Sequence, residues 1–122
     1  MEIRYKFDLI PAIETIIELY IGAGLSRPTE DHETISKMYD NSNLIVTAWD
    51  EEKLVGISRS RTDFCYCCYL SELVVRKEYN RSVIGKRLIE LTKEKVGVNC
   101  MLLLLSAQAA MDYYPKFVLK KS

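Results

Sequence analysis

The segment from Phe64 to Val75 constrains this chain most, because it has strand length and its apolar side chains fall on both alternating faces. A strand covered on both sides belongs in the middle of a sheet. Downstream, Ile84, Leu88 and Leu91, extended by Lys95, recur at helical spacing with Ile89, Thr92 and Val96 beside them, and Gly97 is placed to close that helix. Met101 to Leu105 is then a second apolar run of strand length. Strand, helix and strand in this order need a crossover, so the two strands are expected to be parallel neighbours joined right-handedly. The 122 residues, 48% apolar, can bury a core of their own, which excludes an intrinsically disordered chain.

The flanking segments add elements to this unit. Ile3-Arg4-Tyr5-Lys6-Phe7 alternates apolar and charged residues, the period of a half-exposed strand. Asp8 offers a helix start, and from Pro11 the residues Ile13, Ile16, Ile17, Leu19 and Tyr20 form a stripe that stops at Gly22-Ala23-Gly24. Thr29 is expected to cap a short acidic helix from Glu30 to Tyr39, whose thin apolar face of Ile35, Met38 and Tyr39 predicts weak packing. Leu44 to Trp49 and Leu54 to Ser58 read as a hairpin across the turn Asp50 to Lys53, with Trp49 packing on it. Ser106 is placed to cap a last helix through Ala107, Ala110, Tyr113 and Tyr114. The expected order is β-α-α-β-β-β-α-β-α in one domain spanning residues 1–122, with no internal repeat or linker.

Charge and cysteine usage narrow the function classes. Seventeen basic and seventeen acidic residues cancel, so the chain lacks the excess of cations that supplies non-specific nucleic-acid affinity, and no nucleic-acid partner is expected. The run Met101 to Leu105 is far short of the roughly 20 residues of a membrane span, and Met1-Glu2-Ile3-Arg4 does not open like a signal peptide. A cytoplasmic protein with no membrane partner is expected. Cys65, Cys67, Cys68 and Cys100 include one Cys-x-x-Cys, but no second pair follows at zinc spacing and His32, the only histidine, is remote in sequence. Buried reduced thiols and no metal are expected.

The stretch Leu73-Val74-Val75-Arg76-Lys77-Glu78-Tyr79-Asn80-Arg81-Ser82-Val83-Ile84-Gly85-Lys86-Arg87-Leu88-Ile89 resembles motif A of the GNAT-type N-acetyltransferases. In that family a strand is followed by (Gln/Arg)-x-x-Gly-x-(Gly/Ala), whose amides at a helix start hold the pyrophosphate of acetyl-coenzyme A. A helix N-terminus suits that task because its orphan N–H groups and about half a unit of positive charge both match a diphosphate. The resemblance implies a coenzyme site formed by Leu73, Val74 and Val75 along the pantetheine arm and by Asn80, Arg81, Ser82, Val83, Ile84, Gly85, Lys86 and Arg87 around the phosphates. Asn80 and Val83 depart from the family's Gln/Arg and first Gly, whereas Gly85 agrees. A valine there is strained if the position needs positive φ, and crowds the phosphate if the position only needs close approach. Read without the family, Asn80 caps a plain core helix.

Near the end of the chain, Ala110, Tyr113, Tyr114 and Lys116 match the family's Ala-x-x-(Phe/Tyr)-Tyr-x-Lys, while Val118-Leu119 stand at its Gly-Phe. The implied fold is α/β in the α+β sense, a mixed, mostly antiparallel central sheet flanked by helices, with a central parallel pair splayed for the coenzyme and the last strand missing or altered. An edge left unpaired in this way predicts a homodimer. The implied activity is acetyl transfer from acetyl-coenzyme A to a primary amine by direct attack; the alternative, which the departures favour, is a catalytically impaired chain that binds coenzyme weakly or serves as an interaction or dimerisation module. At neutral pH an ammonium acceptor needs a base, and Glu72, a lone carboxylate in an apolar strand where burial raises a carboxyl's pKa, is the candidate. A solvent-facing Glu72 is the alternative. Tyr114 matches the tyrosine that protonates the leaving thiolate, and a backbone N–H near Val75 is the implied oxyanion donor. Tyr66 and Tyr69 either line a substrate cleft or pack.

Overall fold

A computed structural model describes residues 2–25, 30–97 and 100–104. Strand β1 (Ile3–Phe7) leads to helices α1 (Ile13–Ala23) and α2 (His32–Asp40), strands β2 (Leu44–Asp50), β3 (Lys53–Thr62) and β4 (Cys67–Val75), helix α3 (Arg81–Val96) and strand β5 (Met101–Leu104). The sheet has the order β1-β2-β3-β4-β5. Strands β1 to β4 are antiparallel neighbours and β4 runs parallel to β5, as the strand-helix-strand unit requires. The expected last helix, with Ser106, Ala107, Ala110, Tyr113 and Tyr114, lies outside the described residues.

Each face of the sheet carries one apolar layer. Beneath α3 lie Leu44, Val46, Ala48, Leu70, Leu73 and Val75 with Ile84, Leu88 and Ile89 of the helix, all at most 3% exposed. On the other face Ile16, Leu19, Tyr20, Ile35 and Tyr39 of α1 and α2 cover Ile45, Leu54, Ile57 and Val74. Gly56 lets α3 sit close, since a Cβ there would stand 3.2 Å from Leu88 Cδ1 and 3.3 Å from Ile84 Cγ2.

Several local expectations are corrected. The cap of α2 is Asp31, whose carboxylate accepts from the Thr34 N–H at 3.1 Å, so the helix starts past Glu30. That helix is firmly packed, because Ile35 and Tyr39 are 0% and 1% exposed despite the narrow stripe. Helix α1 has no side-chain cap, and Asp8 instead adopts φ 57° before it. Lys95 points outward over the Phe7 ring rather than joining the buried stripe. Strand β4 begins at Cys67, because the Asp63 carboxylate accepts the N–H groups of Cys65, Tyr66 and Cys67 and folds that stretch into a turn. These three donors hold the Asp63 carboxyl below its usual range. Of the four free thiols, Cys68 and Cys100 are buried as expected, whereas Cys65 is exposed and Cys67 half-buried.

Candidate active site

Pairing between β4 and β5 runs from Cys67 with Met101 to Leu70 with Leu104. Strand β4 continues to Val75, and the residues that follow Leu104 on its β5 side lie outside the described residues. Its end leads through the loop Arg76–Tyr79 to the N-terminus of α3, with the backbone of Leu73, Val74 and Val75 along the way. Their side chains are 1%, 1% and 3% exposed and serve the two cores, which leaves only main-chain groups for any ligand at this strand end.

The loop after β4 is fixed from the other side by α1. The Lys77 N–H donates to the Gly22 carbonyl at 3.2 Å, and the buried Arg76 guanidinium donates from Nε to the Leu54 carbonyl at 2.7 Å and pairs with Glu18 at 3.1 Å. A Cβ at Gly22 would stand 2.7 Å from an Arg76 guanidinium nitrogen, so any larger residue there would have to displace the Arg76 head group from its place beside the helix. Helix α3 then starts at Arg81 with Asn80 as cap, its side-chain oxygen accepting the Val83 N–H at 3.1 Å. Val83 is therefore an ordinary helical residue of negative φ, 60% exposed, and of the two readings of its departure the strained one is removed. Asn80 already occupies an amide of the first turn, the same kind of group a diphosphate would use. Ser82, Lys86 and Arg87 are exposed, Ile84 and Gly85 are buried, and Arg87 is paired with Glu90 at 3.4 Å. A groove of about 550 Å³ between β1 and these first turns is lined by Tyr5, Val83, Lys86 and Arg87 among others.

Glu72 reaches its surroundings through a break in the strand's alternation. Opposite Arg59 and Ser60 of β3 stand Glu72 and Leu70, so Ser71 is an extra residue, a bulge. Up to Leu70 the even-numbered residues Cys68 and Leu70 face α3; past the bulge Leu73 and Val75 do, and Glu72 turns toward α1 and α2. Its side chain is 0% exposed, which excludes the solvent-facing alternative. The Tyr20 hydroxyl donates to Glu72 Oε1 at 2.7 Å and Arg59 Nε donates to the same oxygen at 3.0 Å. Tyr20 is joined in turn to the Tyr39 hydroxyl at 2.8 Å. Burial first, then Tyr39 and Glu72, push the Tyr20 phenol far above its usual range, so it acts as a donor.

Sequence reasoning did not bring Tyr20, Tyr39 and Arg59 to Glu72. The tyrosines sit on apolar helix stripes and read as core, and the signal available was Arg59 itself, a cation between Ser58 and Ser60 in the interior of β3. Tyr66 and Tyr69 are 55% and 36% exposed, so both reach solvent. Trp49 packs on the hairpin as expected, its Nε1 donating to Thr47 Oγ1 at 2.7 Å. Tyr114 lies outside the described residues. A second concavity, about 750 Å³ at the β1–β2 end, is lined by Arg4, Lys6, Trp49 and acidic residues and does not include Glu72. Among the described residues no group of three or more His, Cys, Asp or Glu is placed to hold a metal ion, and no helix is long and apolar enough to cross a membrane.

Comparison with known proteins bears on this arrangement of sheet, strand end and helix start. No curated protein matches the chain in sequence. In structure it is similar to the GNAT family protein SP0256 of Streptococcus pneumoniae, at 22% identity and TM-score 0.70, covering 94% of this chain and 85% of that one. It is also similar to SA2161 of meticillin-resistant Staphylococcus aureus, at 25% identity and TM-score 0.73 over 95% and 88% of the two chains. A third likeness is to the PaiA N-acetyltransferase of Thermoplasma acidophilum in complex with coenzyme A, at 20% identity and TM-score 0.63 over 96% and 87%. The model of the acetyltransferase (GNAT) domain matches residues 23–117, a span that holds α3 with its cap, the end of β4 and Glu72. With sheet order, helix placement and sequence model in agreement, the chain belongs to the GNAT acetyltransferase family.

Proposed function

We propose that this chain transfers the acetyl group of acetyl-coenzyme A to a primary amine by direct attack within a ternary complex. The observation that carries this reading is the course of β4, which runs parallel to β5 over Cys67–Leu70, continues to Val75 and leads through the loop Arg76–Tyr79 into the start of α3. The main chain at such a strand end has donors and acceptors that suit an amide-bearing arm, and a helix start offers amides to a diphosphate. The pantetheine arm would lie along Leu73, Val74 and Val75, and the pyrophosphate at Asn80 to Arg87. Val83 and the cap bond of Asn80 both work against tight phosphate binding, so coenzyme affinity should be modest for this fold.

In the chemical step the acceptor nitrogen gives up a proton and its lone pair attacks the thioester carbonyl. Glu72 takes that proton, directly or through water, and a backbone N–H near Val75 donates to the oxygen as charge develops on it. Collapse of the intermediate breaks the C–S bond, and Tyr114 protonates the departing thiolate, its phenol near pKa 10 being able to donate to a thiolate whose acid lies near 8.5. Four free thiols suit a reducing cytoplasm, and the chain is taken to act there as a homodimer.

Calorimetric titration with coenzyme A, followed by thiol release from acetyl-coenzyme A with a short diamine, an aminoglycoside and a lysine-containing peptide as acceptors, tests the proposal. Saturable binding and turnover of at least one amine are expected, with turnover removed by Glu72→Gln and lowered by Tyr114→Phe while binding persists. Absence of any coenzyme binding would overturn it. Sedimentation at high concentration tests the dimer, and a monomer throughout refutes it.

A further inference from the structure

We propose that Arg59 is a positioning residue for the acetyl-transfer step, acting through Glu72; this rests on the reading of Glu72 as the base. The two residues are direct partners across β3 and β4, and the bulge at Ser71 is what turns Glu72 to the face on which Arg59 stands. Arg59 does more than pair with the carboxylate. Its other nitrogen Nη1 donates to Ser42 Oγ at 3.1 Å and to the Met38 carbonyl at 3.4 Å, and its guanidinium lies 5.5 Å from the centre of the Tyr39 ring. One side chain thus ties the carboxylate of β4 to the C-terminal end of α2.

Among the described residues, the groups bonded to Glu72 include Arg59 of β3 and Tyr20 of α1, and Tyr20 is joined in turn to Tyr39 of α2. Arg59 is the cation of this set. A carboxylate with no exposed surface and no cation beside it is driven to bind a proton, and in that form it cannot accept one from an amine. The Nε bond and the Tyr20 bond converge on the same oxygen, Oε1, so together they also fix the rotation of the carboxylate. Lysine could supply the charge, but not a fork that reaches Glu72 and Ser42 at once.

The test compares Arg59→Met, Arg59→Lys, Glu72→Gln and the double variant Arg59→Met/Glu72→Gln, with acetyl-coenzyme A and whichever of the three amines above is turned over fastest. Arg59→Met should lower kcat by about 100-fold, the order expected when a reacting group is displaced by an ångström, with coenzyme affinity within twofold of wild type. The acid limb of its kcat/KM profile should move to higher pH, Arg59→Lys should restore the limb more fully than it restores kcat, and the double variant should be no slower than Glu72→Gln. If Arg59→Met keeps the wild-type rate and limb while Glu72→Gln is crippled, or if the two losses multiply in the double variant, Arg59 does not act through Glu72 and the proposal falls while the base reading stands. If Glu72→Gln keeps the wild-type rate, the base reading itself fails and takes the proposal with it. Should Arg59→Met lack a cooperative melt, Arg59→Lys carries the test alone: a rate equal to wild type overturns the proposal.

Discussion

Replacing Val83 by glycine separates the stability of the α3 start from its use as a phosphate cradle. Val83 has negative φ and its N–H is bonded to Asn80, so glycine relieves no backbone strain. The free protein must lose stability. With 60% of the residue exposed, the burial lost is about 0.6–1.2 kcal/mol of the 1.5–3 kcal/mol for a fully buried valine. The greater backbone freedom of glycine in a helix adds about 0.3–0.5 kcal/mol. Together these lower the melting temperature by about 4–7 °C at roughly 4 °C per kcal/mol for a chain of this length. In the other direction, removing a β-branched side chain from beside the phosphates should tighten coenzyme A about tenfold, or about 1.4 kcal/mol. At fixed, saturating coenzyme the ligand-induced rise should then be about 5 °C larger in Val83→Gly than in wild type, nearly cancelling the loss. Paired thermal melts with and without 1 mM coenzyme A, about the concentration at which even a weak site fills, read both effects. An equal rise in the two proteins refutes the crowding of the phosphates by Val83, and a free variant that melts above wild type refutes the absence of strain.

Gly56→Ala should destabilise by about 1–3 kcal/mol, because the new methyl meets the Val74 carbonyl oxygen at 3.2 Å, a backbone atom that cannot swing away as a side chain can; a lower urea midpoint at unchanged slope is the expected reading, and an unchanged midpoint counts against the tight β3–α3 contact. Burial pushes the Cys68 thiol up to about 11, so the folded state holds its proton more tightly than the unfolded chain does. The associated stability is complete below about pH 9 and is lost as the pH climbs toward 11, about 2–3 kcal/mol in all; Cys68→Ala should flatten the fall in stability across that window, and an equally steep fall would show that Cys68 is not its source. Under native conditions a thiol reagent should label Cys65 first and leave Cys68 and Cys100 until the protein unfolds, as mass spectrometry of timed samples will show; labelling of Cys68 as fast as Cys65 contradicts the buried placement.

Local patterning carried most of the fold. The alternation of Ile3 to Phe7 sets β1, Gly24 ends α1 in a left-handed turn at φ 74°, and the two-faced apolar run of β4 puts that strand inside the sheet. What pattern could not reach was non-local. Nothing adjacent to Tyr39 in sequence says that a narrow helix stripe is deeply buried, because the groups it meets, Tyr20 of α1 and Arg59 of β3, come from elements distant in sequence. In the site, Asn80 was legible as a cap because capping acts across a few residues, whereas the partners of Glu72 stand 52 and 13 positions away and depend on a register shift that no periodicity rule records.

The extra residue at Ser71 makes the parity of this strand part of its information. Side-chain substitutions between Leu70 and Val75 alter one contact at a time, but one residue added to the pleat exchanges the two faces wholesale. Deleting Ser71 would leave Leu70 and Glu72 consecutive opposite Ser60 and Arg59, so plain alternation keeps Glu72 toward α1 and α2, whereas a residue inserted after Glu72 would turn Leu73 and Val75 away from α3 and toward the tyrosines of α1 and α2. A Ser71 deletion should therefore leave a cooperative melt in place, as Ser71→Ala does, and the insertion after Glu72 should abolish it.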